Sequence, residues 1–148
     1  MKIRTATWGE VGVSHDSFLT LPEGLIGFED QQEYVILDRE DCLPFRWLVS
    51  FQDPGLAFPL IDPKHVLSGY EVPLTAIEQT MLGLGAGESP LVYCLATVTD
   101  EGRQAYANLR APLVINSRSR MARQVVLLNS HYEIQHPVLE PVGLPAAR

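Results

Sequence analysis

"FRWLVSFQDPGLAFPLID", residues 45–62, decides how this chain folds. Two β-branched and aromatic runs, 45–51 and 56–62, flank "QDPG" at 52–55. Pro54 presets φ and Gly55 accepts a positive one, so the stretch reads as a hairpin of adjacent antiparallel strands.

Outward from it, short runs of the same kind recur. "KIRTATW" (2–8) alternates, and "EYVILD" (33–38), "LVYCLATVT" (91–99), "APLVIN" (111–116) and "RQVVLL" (123–128) are bounded by Pro, Gly, Asp and Asn. That pattern predicts a mainly β protein. One segment differs. In "VPLTAIEQTMLGLG" (72–85), Thr75 and Glu78 have capping-box spacing, and Leu74, Ile77, Met81 and Leu84 fall near one helical face. Gly83 or Gly85 stops this single short helix, which is expected to lie over a sheet or an open barrel end. "HPVLEPVGLPAAR" (136–148) has three prolines and reads as an irregular tail. With 148 residues and no long linker, the expectation is one domain spanning 1–148. Its form is a small antiparallel sheet closing toward a barrel, since closure removes edge strands.

Composition narrows the function classes. The apolar fraction of 46% suits a folded core. "MKIRTATWGEVGV" lacks the apolar stretch of a secretory signal, and the run Leu91–Val98 is too short to span a bilayer. A cytoplasmic protein is expected. Cys42 and Cys94 are the two cysteines, outside any Cys-x-x-Cys element, and read as small apolar residues. The net charge of −7 is uneven: residues 1–101 carry −11 and residues 102–148 carry +4. The acidic majority repels nucleic acid over most of the surface and favours basic partners.

Chemistry-bearing patterns are few in this chain. His131 and His136 are five apart, which on a strand points them to opposite faces, and His15 and His65 have no neighbouring ligand. No metal site is expected. There is no G-x-S-x-G elbow, and Cys94 lies in the most apolar strand, where a thiolate is disfavoured. "GLGAG" (83–87) follows a helix and lacks the Lys-Ser/Thr of a phosphate loop. The adjacent acids Glu29–Asp30, Glu40–Asp41 and Asp100–Glu101 read as solvated. No catalytic residue and no cofactor is expected.

"ANLRAPLVINSRSRMARQVVL" (107–127) holds Arg110, Arg118, Arg120 and Arg123. Its "NSRSR" reads as a turn between apolar runs, with Arg118 and Arg120 at the tip. The alternative is a nucleic-acid-binding module built on Arg110–Arg123, although the loop has no aromatics to stack on bases.

The same stretch resembles the signature segment of the flagellar assembly factor FliW family. So do "LPEGLIGFED" (21–30), "FRWLVSFQDPGLAF" (45–58) with "IDP" at 61–63, and "HP" at 136–137 after Tyr132. These phrases keep the family's order over about nine-tenths of the chain. Arg110 departs from the pattern, where apolar residues are common.

The resemblance implies a small β-barrel-like, non-enzymatic cytoplasmic regulator. It would bind newly made flagellin and, when free, bind and antagonise the RNA-binding repressor CsrA by docking away from its RNA site. Glu23, Phe28, Glu29, Asp30 and Glu33 on a Gly-rich loop are candidate contacts, Phe28 serving either as an aromatic anchor or as a core plug. Phe58 and Asp62, flanking Pro59, are a second candidate pair. Trp8, Trp47 and Phe51 are expected in the core. Contact with nucleic acid or a membrane is not expected.

Overall fold

The computed structural model describes residues 1–99 and 103–139; Asp100–Glu101 and positions 140–148 of the expected tail lie outside the described residues. The hairpin at 45–62 forms as read. β5 (Phe45–Ser50) pairs antiparallel with β6 (Ala57–Ile61) from Phe45–Ile61 to Val49–Ala57. The turn is closed differently, since Gly55 does not take a positive φ. Asp53 does the work: its Oδ1 accepts the Gly55 N–H at 3.2 Å and its carbonyl accepts the Leu56 N–H at 2.9 Å.

Around this pair the chain builds a nine-stranded sheet. β3 (Phe18–Thr20) and β4 (Glu33–Leu37) extend it on one side; β7 (Leu91–Thr99), β9 (Leu113–Ile115) and β10 (Ala122–Gln124) extend it on the other. β8 (Gln104–Ala107) branches from β7 and carries β11 (His136–Pro137). β1 (Lys2–Thr5) and β2 (Gly9–Gly12) form a separate two-stranded sheet. The start of the expected irregular tail is therefore a short paired strand, with Val138 buried beside it. The run at 111–116 gives three strand residues and the run at 123–128 only two; beyond them Val125 and Leu127 are held by single bonds to the Pro112 and Arg110 carbonyls.

Barrel closure, as expected from the sequence, is incomplete. The sheet curls until its ends meet, but they touch through one parallel bridge, Thr20–Met121, and no ladder among the described residues closes it. Arg120 makes this seam. It has φ +65°, its carbonyl accepts the Thr20 N–H at 3.0 Å, and its Nε donates to the Phe18 carbonyl at 3.4 Å.

The alternation of strand residues sorts the core onto two faces. Leu19, Tyr34, Ile36, Leu48, Leu60, Leu113 and Ile115 pack inside the curl. Val35, Trp47, Val49, Ile61, Cys94 and Ala96 face the other way, onto Ile3 and the half-buried Trp8. Phe51, expected in the core, is instead 50% exposed, with its ring edge-on to Phe18. It follows the last strand residue of β5, and although its N–H still donates to the Glu33 carbonyl of β4 at 2.8 Å, its side chain lies at the margin of the sheet.

α1 (Ala76–Met81) carries the expected capping box: Glu78 N–H donates to Thr75 Oγ1 at 3.1 Å and Thr75 N–H to Glu78 Oε1 at 2.9 Å. Gly83, at φ +69°, ends it. The expected apolar face buries only at its ends, where the half-buried Leu74 and Leu84 pack on the core. Ile77 is 72% exposed and Met81 is exposed, while Leu82 is the residue driven into the core with Val114, Val125 and Leu127. With six residues, the helix is too short for its periodicity to fix a face.

Candidate interaction surfaces

The loop 21–32 is pinned from several directions. Leu25 is buried, the Ile26 N–H donates to Gln124 Oε1 at 2.9 Å, and Gln52 Oε1 accepts the Gln32 N–H at 2.9 Å. Gly24 lets the loop fold on itself: at φ +67° its missing Cβ would sit 2.7 Å from the Glu29 Cα and the Phe28 carbonyl oxygen. The two apolar side chains at the tip are thereby held outward, Ile26 at 58% and Phe28 at 37% exposure.

Phe28 is packed on one side and exposed on the other. One edge of its ring meets Phe58 at 5.1 Å between centroids and 72° between planes, and Phe58 in turn lies 6.5 Å from the buried Tyr34 ring. The open end of the curled sheet is thus covered by an aromatic whose other side faces solvent. Glu29 and Asp30 flank it, both exposed. Glu29 Oε2 accepts the Gly27 N–H at 2.9 Å, and backbone hydrogen bonds, chiefly this one, hold its carboxyl below the ordinary value. Glu29 is therefore anionic and oriented at neutral pH.

The structure brings Glu23, Phe28, Glu29, Asp30 and Phe58 to one end of the sheet and adds Met81, which lines a small hollow with Pro22, Glu23, Gly24 and Arg123. Glu23 is not a free acid, because Arg123 Nη1 is 2.6 Å from its Oε1. Asp62 is elsewhere. Four residues along β6 from Phe58, roughly 13 Å at strand rise, it caps a 3-10 turn (Pro63–His65) by accepting the Lys64 N–H. Met81 and Ile26 were missed at the sequence level. The helical spacing marked Met81 as core; nothing local marks either residue as outward-facing.

Three of the four arginines of the basic cluster are engaged within the chain. Arg118 pairs with Glu88 at 3.1 Å, which holds the Glu88 carboxyl below its ordinary value, and Arg120 and Arg123 are engaged as above. Asn116 organises the turn: its Oδ1 accepts the Arg118 and Ser119 N–H groups, and its Nδ2 donates to the Leu82 carbonyl at 2.9 Å.

The thiols lack the setting of a nucleophile. Burial pushes Cys94 up to about 12 and raises Cys42 as well. Among the described residues, no three His, Cys, Asp or Glu side chains cluster as a metal site, and no helix is long and apolar enough to cross a membrane.

What these features define is a small, mainly β protein presenting an exposed aromatic and aliphatic patch with an acidic rim. The sequence matches the FliW protein family over residues 2–139, and the chain belongs to that family. It is 33% identical over 140 residues to the flagellar assembly factor FliW of Geobacter sulfurreducens, covering 95% of this chain and 87% of the relative. The FliW protein of Bdellovibrio bacteriovorus is 35% identical over 138 residues, covering 93% and 79%. A crystal structure of a flagellar assembly factor FliW superposes with a TM-score of 0.83 at 30% identity, covering 95% of this chain and 98% of that one.

Proposed function

We propose that this chain is a cytoplasmic flagellar assembly factor that works by exchanging partners. It holds flagellin as a chaperone-like partner while flagellin accumulates. When flagellin leaves, the freed protein binds a CsrA-type repressor and lifts its block on translation, with no covalent step of its own. Family membership over residues 2–139 carries the reading. The surface at Ile26, Phe28 and Phe58 supports it, because an exposed apolar patch beside oriented carboxylates suits an amphipathic segment with basic flanks. The accessible surface of 8282 Å² has room for two partners at about 800 Å² each.

Direct binding of nucleic acid is the weaker reading, since Arg118, Arg120 and Arg123 already have partners inside the chain. The test is calorimetric titration of the purified protein with flagellin, with CsrA, and with CsrA after saturation by flagellin. The expected outcome is binding to each alone and at least tenfold weaker binding of CsrA to the flagellin complex. Independent, additive binding of both, or a salt-sensitive shift of RNA by this protein alone, overturns the proposal.

A further inference from the structure

A second surface lies at the other end of β6, where that strand stops short of its neighbour. β6 pairs with β7 only through Leu60–Leu95 and Ile61–Cys94, and Asp62 then turns the chain away into the 3-10 turn. β7 continues to Leu91, paired with β9 on its far side through Leu91–Ile115, Val92–Val114 and Tyr93–Leu113.

The direction of the Val92 backbone follows from two separate bonds. On β9, the Pro112 carbonyl and the Asn116 N–H both bond toward β10, so the alternate residues Leu113 and Ile115 bond toward β7, where they meet Tyr93 and Leu91. Independently, the Leu95 carbonyl accepts the Asn108 N–H and so faces away from β6. Both place the backbone of Leu91, Tyr93 and Leu95 on one side of β7 and that of Val92 on the other. The N–H and C=O of Val92 therefore face the space that β6 has vacated.

That space is a groove of about 560 Å³ whose walls include Asp62, Lys64, Leu67, Tyr70, Leu91 and Tyr93. Its walls are largely apolar, with one acid and one base among these residues. Tyr70 is tied down, since its hydroxyl donates to the Leu109 carbonyl at 2.6 Å and its ring lies 4.6 Å from that of Tyr132.

We infer that this groove takes a short extended peptide, which continues the line of β6 and pairs with Val92 as an added strand. Among the described residues no backbone pairs with Val92 on this side, and a donor and acceptor at a strand edge call for backbone from another strand. The apolar walls provide for its alternate side chains, and the balanced charge favours a neutral segment over an acidic or basic one. The inference does not depend on which proteins bind at the Phe28 end, and it gives the Asp62 end a separate role.

The test is selection of a random decapeptide display library on the intact protein, followed by fluorescence anisotropy with one selected peptide. N-methylation of that peptide's alternate backbone amides and Ser68→Trp, which fills the groove from an exposed position, should each weaken binding at least tenfold. Phe28→Ala should leave binding within twofold. In the wild-type protein, saturating peptide should slow hydrogen exchange at the Val92 amide at least tenfold. Failure to select any peptide, full affinity after N-methylation of both alternate sets, loss of binding in Phe28→Ala, or unchanged exchange at Val92 each overturns the inference.

Discussion

Gly24 is the residue on which the loop surface turns. Any β-carbon there meets backbone atoms 2.7 Å away, at a φ that side chains resist. Gly24→Ala is expected to destabilise the fold by about 1–3 kcal/mol and to move Phe28 off Phe58, measured by urea denaturation and by loss of partner affinity. Cys94 makes a different residue-scale prediction. Burial, with a smaller contribution from the Asp62 charge, keeps its thiol protonated up to about pH 12, against a reference value of 9.0. The folded form then holds a proton that the unfolded chain releases. Its stability contribution is complete below pH 9 and falls by about 1.4 kcal/mol per pH unit above it. Tyr34, pushed up to about 12 by burial first and then by Asp30, adds to the loss above pH 10. Urea melts at pH 8, 9 and 10 should show the decline, and Cys94→Ala should make it shallower.

At the scale of elements, α1 separates what makes a helix from what buries one. The cap is local, so Thr75→Ala is expected to lower stability by about 1 kcal/mol. Ile77 faces solvent, so Ile77→Glu should change stability by less than about 0.5 kcal/mol in the same denaturation assay, although periodicity marks it as core. The fold was legible in the sequence wherever neighbours decide: the β5–β6 hairpin, the cap at Thr75 and the full extent of β7. β3, β8 and β11 were not, because at two to four residues they exist through the strands they pair with and have no pattern of their own. Of the candidate site, the loop with Phe28 was legible, but the pairing of Glu23 with Arg123, 100 positions away, was not.

For the whole molecule, charge governs encounter. With a net charge of −7 and Glu29 and Asp30 exposed beside Phe28, the proposed function has a basic partner steered to this end of the sheet. Reversing both, Glu29→Lys with Asp30→Lys, is expected to slow association with CsrA about tenfold at low salt, with little change in dissociation and only a small drop in melting temperature from the lost Gly27 bond. Stopped-flow mixing at two ionic strengths checks it. Association unchanged at low salt removes these carboxylates from the interface.

The sequence by itself determined a mainly β chain, its central hairpin, its helix cap and its buried thiols, because alternation, turn chemistry and capping act over a few residues. Tertiary structure alone decided the rest: that the curl stops at one bridge between Thr20 and Met121, that arginines close in sequence are consumed by Glu88 and Glu23, and that β6 parts from β7 after Ile61 meets Cys94. Each of these joins positions at least 30 residues apart, where which groups meet is set by the path of the folded sheet.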